Sequence, residues 1–200
     1  MKSLHRPDLY TWSTFDEERN VDFNSVLWVR SGGNVAIDPP PITDHDRRHL
    51  DALGGVAWIV VTNSDHVRAA ELLRASSGAK VAGPAGEQAG FPIPCDRWLA
   101  DGEELVPGLT ALALDGSKTP GELALVLEET TLVTGDLVRA HRAGALMMLP
   151  DGKLRDRSAA LGSVARLAEL PRIETVLVGD GWSCFHGARA ALAALLPKSG

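Results

Sequence analysis

Residues 56–62, Val-Ala-Trp-Ile-Val-Val-Thr, form an unbroken apolar run of strand length, closed by the polar Asn63-Ser64-Asp65. A strand that is apolar on every residue has to be covered on both faces, which places it in the middle of a parallel sheet. Residues 66–75 then carry Val67, Ala70, Leu72 and Leu73 at helical spacing, and residues 79–82 read as another short strand. Strand, helix, strand at this length is a βαβ unit, which requires parallel pairing and a right-handed crossover.

The rest of the chain falls into place around that unit. Residues 9–15 and 25–29 are short runs rich in aromatic and β-branched residues, and Ser31-Gly32-Gly33-Asn34 turns the second into a strand at 35–38. Three prolines, Pro39 to Pro41, stop it. Thr43 is the expected N-cap of a helix that ends near Gly54-Gly55, with Asp46 in its first turn. Beyond residue 100 the pattern changes to short strands at 110–114, 123–127 and 131–134. A further apolar segment at 145–149, an amphipathic helix at 155–170, a buried strand at 175–178 and an Ala/Leu-rich helix at 187–196 complete the chain. The order strands–αβα, repeated, predicts an α/β fold: one domain over residues 1–200, two mixed sheets face to face and helices outside, a four-layer αββα sandwich.

Composition narrows the function classes. The net charge of -6, with acids and bases intermingled, argues against a nucleic-acid or anionic-membrane partner and leaves a small-molecule ligand or substrate as the expected partner. Cys95 and Cys184 are the only cysteines, too few for a disulfide framework. No apolar run approaches the length of a membrane span, and the first twelve residues contain no signal-like apolar stretch, so the expected location is cytoplasmic.

Unusual polar residues gather in four loops, each directly after a strand: residues 62–68, the loop Gly116-Ser117-Lys118-Thr119-Pro120-Gly121-Glu122, Gly135-Asp136, and Gly179-Asp180-Gly181. Ligand sites in α/β folds collect at the carboxyl ends of strands. The order and spacing of these loops resemble the metallo-β-lactamase superfamily over nearly the whole chain. In that family an early strand ends in aspartate, as Ile37-Asp38 does here. A Thr-His-x-His-x-Asp-His segment, a Gly-His-Thr-Pro-Gly loop, a Gly-Asp and a late Gly-His-Gly follow, and together they hold two zinc ions that activate a bridging water.

Laid onto this sequence, the resemblance keeps the frame and replaces the ligands. Asn63 and Asp65 stand at the first two histidine positions, Val67 at the aspartate, Arg68 at the next histidine, Lys118 at the third-loop histidine and Asp180 at the last; only Asp136 is retained. Valine offers no donor atom and arginine stays protonated. The pocket implied is lined by Asn63, Asp65, Arg68, Lys118, Asp136 and Asp180, with the cations Lys118 and Arg68 set among the three acids in a salt-bridged cluster. No metal or other cofactor is expected; the alternative is one divalent metal held by Asp65, Asp136 and Asp180.

The reading that follows is a divergent metallo-β-lactamase-fold protein with a degenerate metal site, no longer a dizinc hydrolase and binding a small ligand in the inherited cleft. A hydrolase of an ester, thioester or lactone with a mononuclear oxygen-rich site is one alternative, with Asp65, His66 and Lys118 as catalytic residues; a structural or partner-binding module is another. His66 lies between two ligand positions and reads either as a solvent-facing or outer residue or as an acid or base. Asn63, Ser64 and Asp65 also read as helix-capping residues. Cys184 and His186, and separately His141, are weaker candidates for a new site, and Trp182 is expected to border the pocket.

Overall fold

A computed structural model describes residues 1–197. Seven strands, β1 (Lys2–Ser3), β2 (Leu9–Asp16), β3 (Val21–Trp28), β4 (Val35–Ile37), β5 (Trp58–Val60), β6 (Lys80–Pro84) and β7 (Arg97–Leu99), lie side by side in chain order. Pairing is antiparallel from β1 to β4 and parallel from β4 to β7. Helix α1 (Asp44–Ala52) connects β4 to β5, and α2 (Ala70–Ser77) connects β5 to β6.

After them come β8 (Glu104–Val106), β9 (Leu109–Ala113), β10 (Leu123–Leu127) and β11 (Thr131–Thr134). The chain continues through β12 (Val138–Arg142), β13 (Ala145–Met148), α3 (Arg157–Ala168), β14 (Thr175–Val178) and α4 (Ala188–Ala193). The second sheet has the order β14-β11-β10-β9-β8, parallel only between β11 and β14, while β12 and β13 form a separate ribbon.

Three apolar clusters fix the layering. Leu9, Val26, Ile37 and Val60 of the first sheet pack against Leu109, Leu123, Leu125 and Leu177 of the second. Leu50 of α1 and Ala70 and Leu73 of α2 cover the outer face of the first sheet at Ala36, Ile59 and Val61. Ala160, Val164 and Leu167 of α3, with Ala188 and Leu192 of α4, cover the second at Leu112, Leu132 and Val176. The result is the four-layer αββα sandwich. It also explains the unbroken apolar run: Ile59 faces the helices and Val60 the opposite sheet, and both are fully buried. Truncating a side chain such as Leu125, fully enclosed between the sheets, costs about 2–5 kcal/mol.

Local signals hold where they are strong. Thr43 caps α1 by accepting from the Asp46 N–H at 3.1 Å. The helix expected at 66–75 begins only at Ala70, because Arg68 adopts φ 44° and separates a 3₁₀ turn (Ser64–His66) from α2. The last helix is shorter than expected, and β1, β7 and β8 are additional strands too short to carry a period of their own, while β12, five residues long, is a further strand not expected from the sequence. None of the described helices is long and apolar enough to cross a membrane.

Candidate functional site

The loops that follow β5, β9, β11 and β14 meet at one edge of the sandwich, around a cleft of about 140 Å³. Its geometry starts with Asp38, which ends β4 with φ 47°, a left-handed conformation that is uncommon outside glycine. The carboxylate is held on several sides. Thr62 donates its N–H to Oδ1 at 2.7 Å and its hydroxyl to Oδ2 at 2.6 Å, and His66 Nδ1 lies 2.8 Å from Oδ2. A carboxylate acceptor at this distance places the proton on Nδ1 and turns Nε2 toward the cleft.

Burial and charge oppose each other in this pair. Burial alone raises the proton affinity of Asp38, but the His66 and Arg68 charges and the hydrogen bonds from His66 and Thr62 outweigh it and hold its carboxyl below the usual range. For His66, burial lowers the pKa, yet the Asp38 charge and hydrogen bond and the Asp136 charge carry it above its ordinary value in spite of Arg68. His66 is 4% exposed; the solvent-facing alternative is therefore corrected, because the 3₁₀ turn rolls the ring inward onto Asp38. Gly179 permits this placement, since a Cβ there would lie 2.9 Å from the imidazole.

Two guanidinium groups, Arg139 buried and Arg68 nearly so, meet the two remaining acids. Arg68 donates to Asp180 Oδ1 at 3.0 Å and also to the carbonyls of Asn24, Asp38 and Gly179 at 2.7, 3.1 and 3.2 Å, with Phe23 beneath it at 5.1 Å. Arg139, on β12, donates from Nη2 to Asp136 Oδ1 at 3.0 Å and places Nη1 3.9 Å from Asp180 Oδ2. His66 Nε2 lies 3.7 Å from Asp136 Oδ2 and 4.0 Å from Asp180 Oδ1, beyond hydrogen-bond range of either. Asp136 Oδ2 is buried and has no hydrogen-bond partner among the described residues.

The sequence-predicted residues separate into three places. Arg68, Asp136 and Asp180 form the floor together with His66. Lys118 and Asp65 pair with each other at the rim, both more than two-fifths exposed. Asp65 therefore does not join Asp136 and Asp180 as the expected third ligand, and Lys118 does not reach those acids: the same turn that brings His66 inward carries Asp65 outward. Asn63 turns into the protein, where its Oδ1 accepts from the Asp65 N–H at 3.0 Å, and its Nδ2 is buried without a partner among the described residues.

Arg139 and Phe23 are site residues that the sequence did not disclose. The only available signal for Arg139 was an opposite charge three residues after Asp136. Beneath the floor, Glu122 is fully buried, accepting the Leu137 N–H at 2.8 Å and the Ser117 hydroxyl. Burial, helped by the Asp136 charge, pushes its carboxyl up to about 7.

Among the described residues, the one group of His, Cys, Asp and Glu close enough to share an ion is His66, Asp136 and Asp180, whose ligand atoms lie within 4.8 Å of one another. His141 stands beside Arg139 instead, 3.4 Å from its Nη1, and Cys184 bonds to the His186 carbonyl at 3.1 Å. Two zinc ions do not fit this donor set. The floor supplies one imidazole nitrogen, no thiolate, and a guanidinium where the resemblance calls for a histidine, whereas zinc favours nitrogen and sulfur. Two cationic groups already neutralise the acids that would hold the metals.

The comparisons agree with this architecture. The sequence profile of the metallo-beta-lactamase superfamily matches residues 1–198. A metallo-beta-lactamase from Pontibacter korlensis superposes with TM-score 0.75 at 16% identity, covering 98% of each chain. A metallo-beta-lactamase family protein from Thermus thermophilus gives 0.71 at 21% identity over 96% of this chain and 79% of that one. A metallo-beta-lactamase from Erythrobacter litoralis gives 0.70 at 16% over 97% and 89%. A sequence search of curated proteins gives no match. At such identities the structural likeness speaks for the fold alone.

Proposed function

This chain belongs to the metallo-beta-lactamase superfamily, and from that premise we propose that it binds a small ligand in the inherited cleft without operating as a dizinc hydrolase. The observation that carries this reading is Arg68, whose largely enclosed guanidinium bonds Asp180 at 3.0 Å at the position of a family zinc ligand. Four hydrogen bonds hold it there, three to main-chain carbonyls, so turning aside to admit a metal would forfeit its bonds to Asp180 and to the Asn24 and Asp38 carbonyls, while Gly179 keeps the Asn24 N–H at 2.8 Å.

The floor then acts as a rigid polar base and the ligand meets the rim. Lys118 and Asp65 are exposed and paired chiefly with each other, so either can exchange its partner for a ligand group at little cost. Phe23 supplies an aromatic wall.

The test is elemental analysis of protein dialysed against zinc, followed by a thermal-shift screen of small carboxylates, amines and amino acids on the unmodified protein and the Lys118→Ala variant. The expected result is well below two zinc ions per chain, with a ligand shift that Lys118→Ala reduces. Two tightly held zinc ions per chain, with hydrolysis of a lactone or thioester, would refute the proposal.

A further inference from the structure

The β2–β3 hairpin is paired on one flank and open on the other. In β2 the odd-numbered residues turn their main-chain groups away from β3. The Leu9 N–H donates to the Arg6 carbonyl and the Leu9 carbonyl accepts from Leu4, while the Asp8 carbonyl, on the other side, accepts from Val29. β1 covers the outward side only as far as the pair Lys2–Thr11. β2 continues to Asp16 and stays paired with β3 to the last position, Asp16 with Val21. The far flank of β3 is closed, since the Asn24 N–H donates to the Gly179 carbonyl and the Asp22 carbonyl accepts from Gly181, both at 2.8 Å. Ser13 and Phe15 are left with outward N–H and C=O groups that face no strand among the described residues, a template for one more strand.

Exposed apolar surface gathers at the same place. Of the four large apolar side chains exposed among the described residues, Phe15 stands on this edge, 53% exposed. Trp182 and Phe185 border a hollow of about 240 Å³ that also touches Lys2, Thr11 and Ser13. Another hollow, of about 340 Å³, lies along the edge itself, beside Lys2, Ser13 and Phe15.

We propose that this edge is a dimer interface, in which β2 pairs antiparallel with β2 of a second copy of the chain about a two-fold axis at Thr14. The register follows from the hydrogen bonding. A crossing at Thr14 sets Ser13 of each copy against Phe15 of the other and satisfies the outward groups of both. Thr14 then meets Thr14, and the two Phe15 rings become diagonal neighbours, both favourable cross-strand arrangements. This register also ends the incoming strand, at its Asp16, opposite Trp12, one residue before Lys2 occupies the edge. The acidic stretch Asp16-Glu17-Glu18 of one copy therefore arrives at Lys2 of the other. That match in length and charge favours a second copy over an unrelated strand. Pairing would brace the hairpin that carries Arg19 and Phe23 of the cleft wall.

The test is analytical ultracentrifugation of the full-length protein from about 1 to 100 μM, where a monomer–dimer equilibrium is expected. Ser13→Pro removes an outward N–H and no main-chain bond to β3, and should raise the dissociation constant at least about tenfold. Leu72→Glu, at the exposed apolar residue of α2, should leave it unchanged. Thr14→Cys reads the register without relying on the proline variant to fold: mild oxidation should link two copies through a disulfide across the axis. The unmodified protein, with Cys95 and Cys184, and an Asp16→Cys variant should form no such link. A protein that stays monomeric throughout, a dimer unaffected by Ser13→Pro, or no covalent dimer from Thr14→Cys overturns the proposal. The ligand-binding reading stands or falls separately, because none of these positions lines the cleft.

Discussion

Glu122 gives the sharpest test of the energetics beneath the site. Its carboxyl is enclosed on all sides and displaced from 4.5 to about 7. The folded protein therefore retains this proton over a range in which the unfolded chain releases it. The stability it contributes is fully present below pH about 4.5 and is lost as the pH rises through about 7. At 1.36 kcal/mol for each tenfold change in proton affinity, the loss across that window is about 3 kcal/mol, an order-of-magnitude figure.

Glu122→Gln keeps an acceptor for the Leu137 N–H and a polar partner for Ser117, but cannot ionise. Urea unfolding of both proteins should show similar stability at pH 5 and an advantage for the variant, approaching about 3 kcal/mol, near pH 8. His66 and Asp38 also titrate, but they are common to both proteins and cancel in the difference. If the two proteins lose stability in parallel between pH 5 and 8, the reasoning is wrong.

Two further outcomes separate buried from exposed charge. Arg68→Met removes the donor bonded to Asp180 and to the Asn24 and Asp38 carbonyls and should lower unfolding stability by about 3–5 kcal/mol at pH 7, measured by urea titration. Lys118→Ala removes a pair that is more than two-fifths exposed on both sides, so its effect on unfolding stability should stay within about 1 kcal/mol and shrink further in high salt.

The fold was legible because its signals are local. The apolar run around Ile59, the Thr43 cap and the turn at Gly32-Gly33 each determine their own neighbourhood, and together they imply βαβ and hairpin units. The site was legible only as a set of loops. What each side chain does there depends on the 3₁₀ turn Ser64–His66, which points His66 inward and Asp65 outward, and on the positive φ of Arg68, which separates that turn from α2. Hydrophobic periodicity carries no information about such a break, and for that reason the helix was expected to start at His66. Arg139 was hidden for a different reason: β12 belongs to neither main sheet, and its approach to Asp136 and Asp180 is a consequence of how the ribbon folds over the edge.

The hydrogen bonds of Arg68 also govern how this chain can change. Its guanidinium joins β3, the end of β4 and the loop after β14, so it ties the first sheet to the second as well as neutralising an acid. Histidine at this one position would cut that tie, and the residues at 63, 65, 67, 118 and 180 also differ from those the superfamily resemblance implies, so they offer no zinc site to compensate. A single replacement at 68 therefore gives up the clasp between the two sheets without assembling a set of zinc ligands in exchange.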